Sequence, residues 1–303
     1  MLNSIIYNNN ELIVIFTVDV EDWSQSVLNR KNPVTERVLN STHQVMDILA
    51  ENDTKATFFT LGNVAEKFPE LIKRMADEGH EVASHGYDHK NIYAMSPKEM
   101  LEDIGKSVKL LEDASGQKVI GFRAPNFSIR EHLFPAFCEA LVAHGIRYDS
   151  SLFPMKALKY GIEKKYDLSV FKEYGIDEYY LSYIKVRDYK LPYFGGGYFR
   201  LSPYSMTRKL SQDLPESSVF YMHPYEVDAA ELDFVKANYG SLPLKWRATQ
   251  FAGRSGVPEK LRKLIRDYDM MSFKDAYYKG DANNAVVTKP KQVLANGFTE
   301  LTA

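Results

Sequence analysis

Two histidines stand four residues apart in Ser84-His85-Gly86-Tyr87-Asp88-His89, just after the short run Glu81-Val82-Ala83. On one helical turn or a tight loop, that spacing lets both imidazoles meet one divalent cation. An acidic cluster, Asp19-Val20-Glu21-Asp22, ends the apolar run Leu12-Ile13-Val14-Ile15-Phe16-Thr17-Val18. One carboxylate with two neutral imidazoles is a three-ligand set for Zn²⁺ or a similar ion, with positions left for water and a substrate oxygen. Such an ion polarises a carbonyl and lowers the pKa of its water. Asp19 and Glu21 alternate to the same face of an extended strand, so one can be base and the other ligand; Asp22 points away unless the chain kinks there. Arg123, in Arg123-Ala124-Pro125, can clamp the basic aspartate bidentately and keep it ionised. His223, in Tyr221-Met222-His223-Pro224-Tyr225, is placed to be a general acid, with Asp149 as a hydrogen-bond partner that raises its basicity. Singly, each group has a plainer reading: ordinary histidine hydrogen bonds, a solvated strand end, a rim salt bridge.

What unites them is position. Leu12 to Asp19 is a continuous β-branched and aromatic run, as in a parallel strand buried on both faces. Apolar spacing over Thr35 to Asn52 predicts a helix, and Lys55 to Leu61 returns to strand character. Asn63 with Glu66 reads as a capping box for a helix over Val64 to Glu78, stopped at Gly79. Strand Glu81 to Ser84 delivers His85. Ser96-Pro97-Lys98-Glu99 opens the next helix, which Gly116 stops, and Val119 to Phe122 forms a strand ending at Arg123. A helix over about Glu131 to His144 leads to Ile146-Arg147-Tyr148 and Asp149. Later, Tyr204 to Leu214 reads as helix and Ser218 to Met222 as a strand ending at His223. This rhythm favours a parallel sheet or barrel over a bundle or sandwich. Asp19, Glu21, His85, His89, Arg123, Asp149 and His223 all fall at or just after strand C-terminal ends, the edge where α/β barrels build their sites.

Residues 152 to 203 break the rhythm with Tyr-rich polar segments and Gly195-Gly196-Gly197, read as a turn needing unusual backbone angles rather than a phosphate cradle. Pro258 to Ile265 reads as a basic helix and Met270 to Phe273 as a last strand. Beyond Lys279 the chain is polar, with a frayed tail expected. The resulting division is a barrel over 1–228, an extension over 229–280 packed on the same domain, and a flexible tail over 281–303.

The 303 residues, 45% of them hydrophobic, suffice for a sizeable core. A formal net charge of −2 without a basic stripe argues against a nucleic-acid partner. The single cysteine, Cys138, excludes a disulfide framework and sits in an apolar helical stretch as a buried thiol. Neither a secretory signal nor a run of ~18 apolar residues is present, so the expectation is a cytoplasmic protein with peripheral membrane contact left open. The oligomeric state is not legible.

Thr-x-Asp with a following acid, Ser-His-x3-His, Arg-x-Pro, an Asp after a short strand and a hydrophobic-x-His resemble, in that order over residues 12 to 226, the polysaccharide deacetylase family (NodB homology, carbohydrate esterase family 4). The resemblance implies a distorted (β/α)7 barrel and one divalent metal, Zn²⁺ first with Co²⁺ or Ni²⁺ as alternatives. It implies hydrolysis of the N-acetyl group of an acetamido-sugar substrate. Asp19 resembles the base, His85 and His89 the metal histidines, Arg123 the residue that positions the base, and His223 the acid. The commonest family pattern has two adjacent aspartates; Val20 stands at the second, so the third ligand shifts to Glu21 or to Asp22. Asn126 replaces the usual tyrosine after Arg-x-Pro, and its backbone N–H can serve the oxyanion instead. Asp-Val-Glu-Asp-Trp, Arg-Ala-Pro-Asn-Phe-Ser, Gly-Gly-Gly-Tyr-Phe-Arg and the C-terminal extension resemble the branch associated with exopolysaccharide and surface-glycan biosynthesis. A deformylase or other amidase on a formamido sugar or small amide is the alternative, and an inactive carbohydrate-binding protein a third.

Overall fold

The computed structural model describes residues 13–153, 166–186, 189–214 and 217–283. Most of the expected tail, 284–303, lies outside the described residues; the helix Phe273–Asn283 extends past Lys279.

The organising strand is β1 (Ile13–Val20), and its side chains alternate between two environments. Val14, Phe16, Val18 and Val20 enter the larger core beneath the helices, while Ile15 joins a second cluster with Phe59, Ala83, Tyr148 and Val219 inside the curled sheet. Period two then places Thr17, Asp19 and Glu21 on that interior side, above an apolar floor. The same alternation carries Ala83 to His85 along β3 (Glu81–Ser84) and Gly121 to Arg123 along β4 (Gly121–Phe122). Along β9 (Ser217–Met222), Val219 and Tyr221 lead to His223.

All main-sheet pairings are parallel, in the order β1, β2 (Thr57–Thr60), β3, β4, β5 (Tyr148–Asp149) and β6 (Asp177–Glu178). On the other edge of β1 lies β9, with Ile13 opposite Ser217 and Val18 opposite Met222. The antiparallel hairpin of β7 (Ile184–Val186) and β8 (Tyr189–Leu191) stands apart. Between β6 and β9 no ladder closes among the described residues; the Val219 N–H donates to Ser182 Oγ at 2.7 Å and Gly195 bridges Tyr221. This is the distorted (β/α)7 architecture, a parallel barrel left open on one side. The last strand, β10 (Asp269–Met271), pairs with Ile13 to Ile15, whereas β2 begins opposite Thr17. The two occupy successive stretches of β1, so part of the C-terminal extension belongs to the main sheet.

The expected capping box fails. Asn63 is not a cap: the helix Gly62–Lys67 begins after Leu61 and ends at Phe68, and a second helix runs over Pro69–Asp77. Pro69 lacks an N–H, and Phe68 takes φ −131, ψ 61, which breaks what the apolar spacing joined. Gly195-Gly196-Gly197 is more than a turn. Gly195 approaches the Tyr221 backbone so closely that a Cβ would lie 2.3 Å from its carbonyl oxygen, and Gly196 starts the helix Gly196–Leu201.

The floor contains an acid. Glu81 is buried and accepts from Thr57 Oγ1 (2.6 Å), the Lys274 N–H (2.7 Å) and Tyr148 Oη (2.8 Å). Burial pushes its carboxyl up to about 7 from an ordinary 4.5, against the pull of those donors. The folded state therefore holds this proton more tightly than the unfolded chain. The group's contribution to stability is complete below about pH 4.5 and is lost as pH rises through about 7. Denaturant unfolding of Glu81→Gln is expected to show a smaller loss of stability between about pH 5 and pH 8 than wild type, by up to ~3 kcal/mol; equal losses would place the titration elsewhere.

Candidate active site

The loop after β3 is held from four sides. Gly62 and Asn63 N–H groups donate to the carbonyls of Gly86 and Tyr87 at 2.9 Å, and Ser84 Oγ meets Ser107 Oγ at 2.9 Å. The Tyr87 N–H donates to Asp103 at 3.0 Å, and Gln25 Nε2 donates to the Asp88 carbonyl at 2.9 Å. Gly86 has φ +78, open to glycine at little cost, but His89 has φ +65. A histidine held in the left-handed region costs of order 1–3 kcal/mol and is found where a site needs its direction.

That direction brings three ligand atoms together. One atom each of Glu21, His85 and His89 lies within 4.8 Å of the others, and all three residues are buried. His85 Nδ1 is 2.8 Å from the Arg123 carbonyl, which fixes the proton there and leaves Nε2 as a lone-pair donor. Burial depresses the His85 imidazole to about 4, so it stays neutral, as a ligand must. His89 Nε2 stands 2.6 Å from Glu21 Oε2, yet that buried oxygen receives no aligned hydrogen bond. A close nitrogen and oxygen without a proton on the line between them is the arrangement a cation resolves. The donor set, two ring nitrogens and one carboxylate oxygen, fits a Zn²⁺-type ion.

Glu21 also lies 3.1 Å from His223 Nε2. Burial works against its charge, but the imidazoles of His89 and His223 outweigh that and hold its carboxyl well below the usual range. Asp22, the rival for third ligand, is engaged elsewhere. Its Oδ1 accepts from the Ser24 N–H (2.9 Å), Ser24 Oγ (2.5 Å) and the Gln25 N–H (3.3 Å), and its Oδ2 from the Thr35 N–H (2.8 Å) and Thr35 hydroxyl. It knots the chain after β1 to the start of the helix Glu36–Ala50.

Asp19, buried beside this set, receives Arg123 Nη1 at 2.7 Å. The pairing is not the bidentate fork expected. The same Nη1 reaches Thr17 Oγ1 (2.9 Å), while Nη2 and Nε serve Ser150 Oγ (3.0 Å) and the Ser150 carbonyl (3.2 Å). The fully buried guanidinium, 4.1 Å above the Phe59 ring, thus spans three strand ends.

Asp149 is not the partner of His223. It ends β5, against β6, where its Oδ1 accepts from Ser151 Oγ at 2.6 Å and its carboxyl is pushed up to about 6, first by burial. Glu178 is its acidic neighbour, itself held well above the usual range by burial and then by Asp149. The group facing His223 Nδ1 is Glu226, with Oε1 at 3.8 Å. Sequence reasoning passed over it; the signal available was an acid three residues after the histidine in His223-Pro224-Tyr225-Glu226, which the short helical turn Pro224–Glu226 folds back. Burial opposes a charge on His223, yet Glu21 and Glu226 outweigh it and push the imidazole up to about 10.

Asn126 follows Arg-x-Pro at φ +55, its amide donating to Asn91 at 2.9 Å. Cys138 is buried and its thiol is pushed up by burial, the state of a core residue and not of a nucleophile.

The profile of the family described as polysaccharide deacetylase matches residues 32–148. The chain carries a polysaccharide deacetylase domain. Residues 150–278 match a second profile, described only as a domain of unknown function, DUF3473. Among curated proteins, the chain is 39% identical over 97 residues to the Peptidoglycan deacetylase of Helicobacter pylori, covering 32% of each chain. It is 37% identical over 94 residues to the Peptidoglycan-N-acetylglucosamine deacetylase of Bacillus cereus, covering 31% of this chain and 34% of that one. The chain thus spans about a third of the length of these relatives. A solved structure of a presumed polysaccharide deacetylase from Mycobacterium smegmatis superposes with a TM-score of 0.58 at 19% identity, covering 91% of this chain and 93% of that one, a likeness of fold.

Proposed function

We propose that this deacetylase-family chain is a metal-dependent carbohydrate N-deacetylase. Glu21, His85 and His89 hold one divalent ion, Zn²⁺ first with Co²⁺ or Ni²⁺ as alternatives. The observation that carries the reading is the convergence of those three ligand atoms within 4.8 Å, beside an Asp19 held by Arg123. When bound, the ion supplies polarisation of the amide carbonyl and a more acidic water. Asp19, held by Arg123, would take the proton from an attacking water as its oxygen adds to the carbonyl carbon. His223, across Glu21 from the other ligands, delivers a proton to the departing nitrogen as the C–N bond breaks, giving acetate and the amine. Asp149 supports the Arg123-Ala124-Pro125 turn through Ser151, whose Oγ accepts from the Ala124 N–H at 2.7 Å.

The substrate class we propose is an acetamido sugar carried on a nucleotide, a lipid or a glycan, in bacterial surface-polysaccharide biosynthesis. The relatives named for peptidoglycan, and a chitooligosaccharide deacetylase of Bradyrhizobium that is 36% identical over 76 residues, support the acetamido group. We place the enzyme in the cytoplasm, with peripheral membrane contact compatible; among the described residues no helix is long and apolar enough to cross a membrane. The division proposed keeps 1–228 as barrel and 229–280 as a packed extension, although the matched profiles meet near residue 149.

The test is release of acetate and of formate across nucleotide-linked, lipid-linked and oligomeric amido sugars. Acetate from at least one of them is expected. Formate alone would make the chain a deformylase, and binding without release an inactive carbohydrate-binding protein.

A further inference from the structure

Around His223 the structure buries several polar atoms that the reaction above does not use. His223 Nδ1, Glu226 Oε2 and Arg200 Nε are all buried without a hydrogen-bond partner. Glu226 is 4% exposed and Arg200 3%, so neither charge is satisfied by water. Two of them lie in sequence: Glu21 stands against His223 Nε2 at 3.1 Å, and His223 Nδ1 faces Glu226 at 3.8 Å.

Every link on the far side is anchored in residues 196–260. Arg200 donates to the carbonyls of Ala252 and, at 2.6 Å, Thr249. Lys260 Nζ closes the helix Gly196–Leu201 by donating to the carbonyls of Phe199 (3.2 Å), Arg200 (2.7 Å) and Ser202 (2.7 Å). Arg254, paired with buried Glu231, lies 5.2 Å from the Tyr225 ring centroid. Tyr225 in turn stacks on His223, with centroids 4.7 Å apart and planes 11° from parallel. The stack fixes the plane of the imidazole but not its flip about Cβ–Cγ, a half-turn that exchanges Nδ1 with Cδ2 and Nε2 with Cε1. A carboxylate on Nδ1 selects the flip that also turns Nε2 to Glu21, and Glu226 is the carboxylate there.

Resting on the deacetylase reading, we infer that Glu226 is the positioning residue of the catalytic acid His223, held by the DUF3473 segment. Asp149 does not have this role. The separation of 3.8 Å is longer than a hydrogen bond, and a small rotation or one bridging water closes it. Oriented in this way, the imidazole carries its Nδ1 proton toward Glu226 and presents Nε2 to the leaving nitrogen.

The inference is tested with zinc-loaded full-length chain, tetra-N-acetylchitotetraose as the probe, and ¹⁵N spectra of the histidine side chains. Glu226→Gln, nearly isosteric, is expected to lower kcat ten- to hundredfold, the size typical of a residue that orients another, with KM and zinc content unchanged. It should also move the His223 Nδ1 resonance, and Glu226→Asp should restore part of kcat. A wild-type kcat in Glu226→Gln, or an unmoved His223 resonance, overturns the inference. If Glu226→Gln fails to fold, Glu226→Ala, which also removes the carboxylate, carries the same spectral comparison, read the same way. Should wild type release no acetate from the probe, the deacetylase reading fails for that sugar, while the spectra, which need no substrate, still decide Glu226.

Discussion

Asp19→Asn is expected to bind metal as wild type does and to turn over on the order of a thousandfold more slowly. The substitution keeps shape and removes the only function that the metal set does not share, acceptance of a proton. Arg123 would retain Thr17 and Ser150 as partners, so the guanidinium keeps its place although its anionic partner is gone. Losing one charge of a buried pair costs stability, roughly 3–5 kcal/mol, so melting and zinc content must be measured with kcat. A folded, metal-loaded variant with undiminished acetate release would move the base elsewhere.

The second large effect concerns the ion. Purified chain is expected to hold about one divalent ion, and both His85→Ala and Glu21→Gln to lose it on dialysis. Asp22→Asn should keep the ion and lose stability instead, because its oxygens accept from Ser24, Gln25 and Thr35 and one becomes an amide donor. Elemental analysis of the four proteins side by side separates the two acids. Full occupancy in His85→Ala would remove that residue from the site; loss in Asp22→Asn alone would make Asp22 the ligand.

Much of this site was legible because a strand's period of two transmits direction. Knowing that β1 is extended was enough to put Asp19 and Glu21 on one side and to turn Asp22 away; in the structure Glu21 meets His85 and His89, while Asp22 accepts from Thr35. His85 and His89 were legible for another reason: four residues around a glycine bring two rings near each other whatever lies beyond. The partner of His223 was not legible. Asp149 and His223 both end strands, but which ends face each other depends on the order β9-β1-β2-β3-β4-β5-β6, and that order leaves Asp149 beside Glu178. Glu226 was hidden by closeness, since an acid on a single turn has no periodicity to announce it. The broken helix at Phe68 shows a third limit: apolar spacing runs unperturbed through a proline that the backbone cannot.

The sharing of one edge of β1 has a consequence for how the molecule is made. Ile13 to Ile15 pair with Asp269 to Met271, about 250 residues downstream, while Thr17 to Val20 pair with β2 almost at once. During synthesis the half of β1 that carries Asp19 can therefore be fixed early. The other half keeps an unpaired edge until nearly the whole described chain has left the ribosome. Contacts of such sequence separation form slowly, and an exposed parallel edge invites association meanwhile. The acids of the site would then be in place long before the strand that carries them is fully roofed, and the nascent chain would depend on chaperoning through that interval.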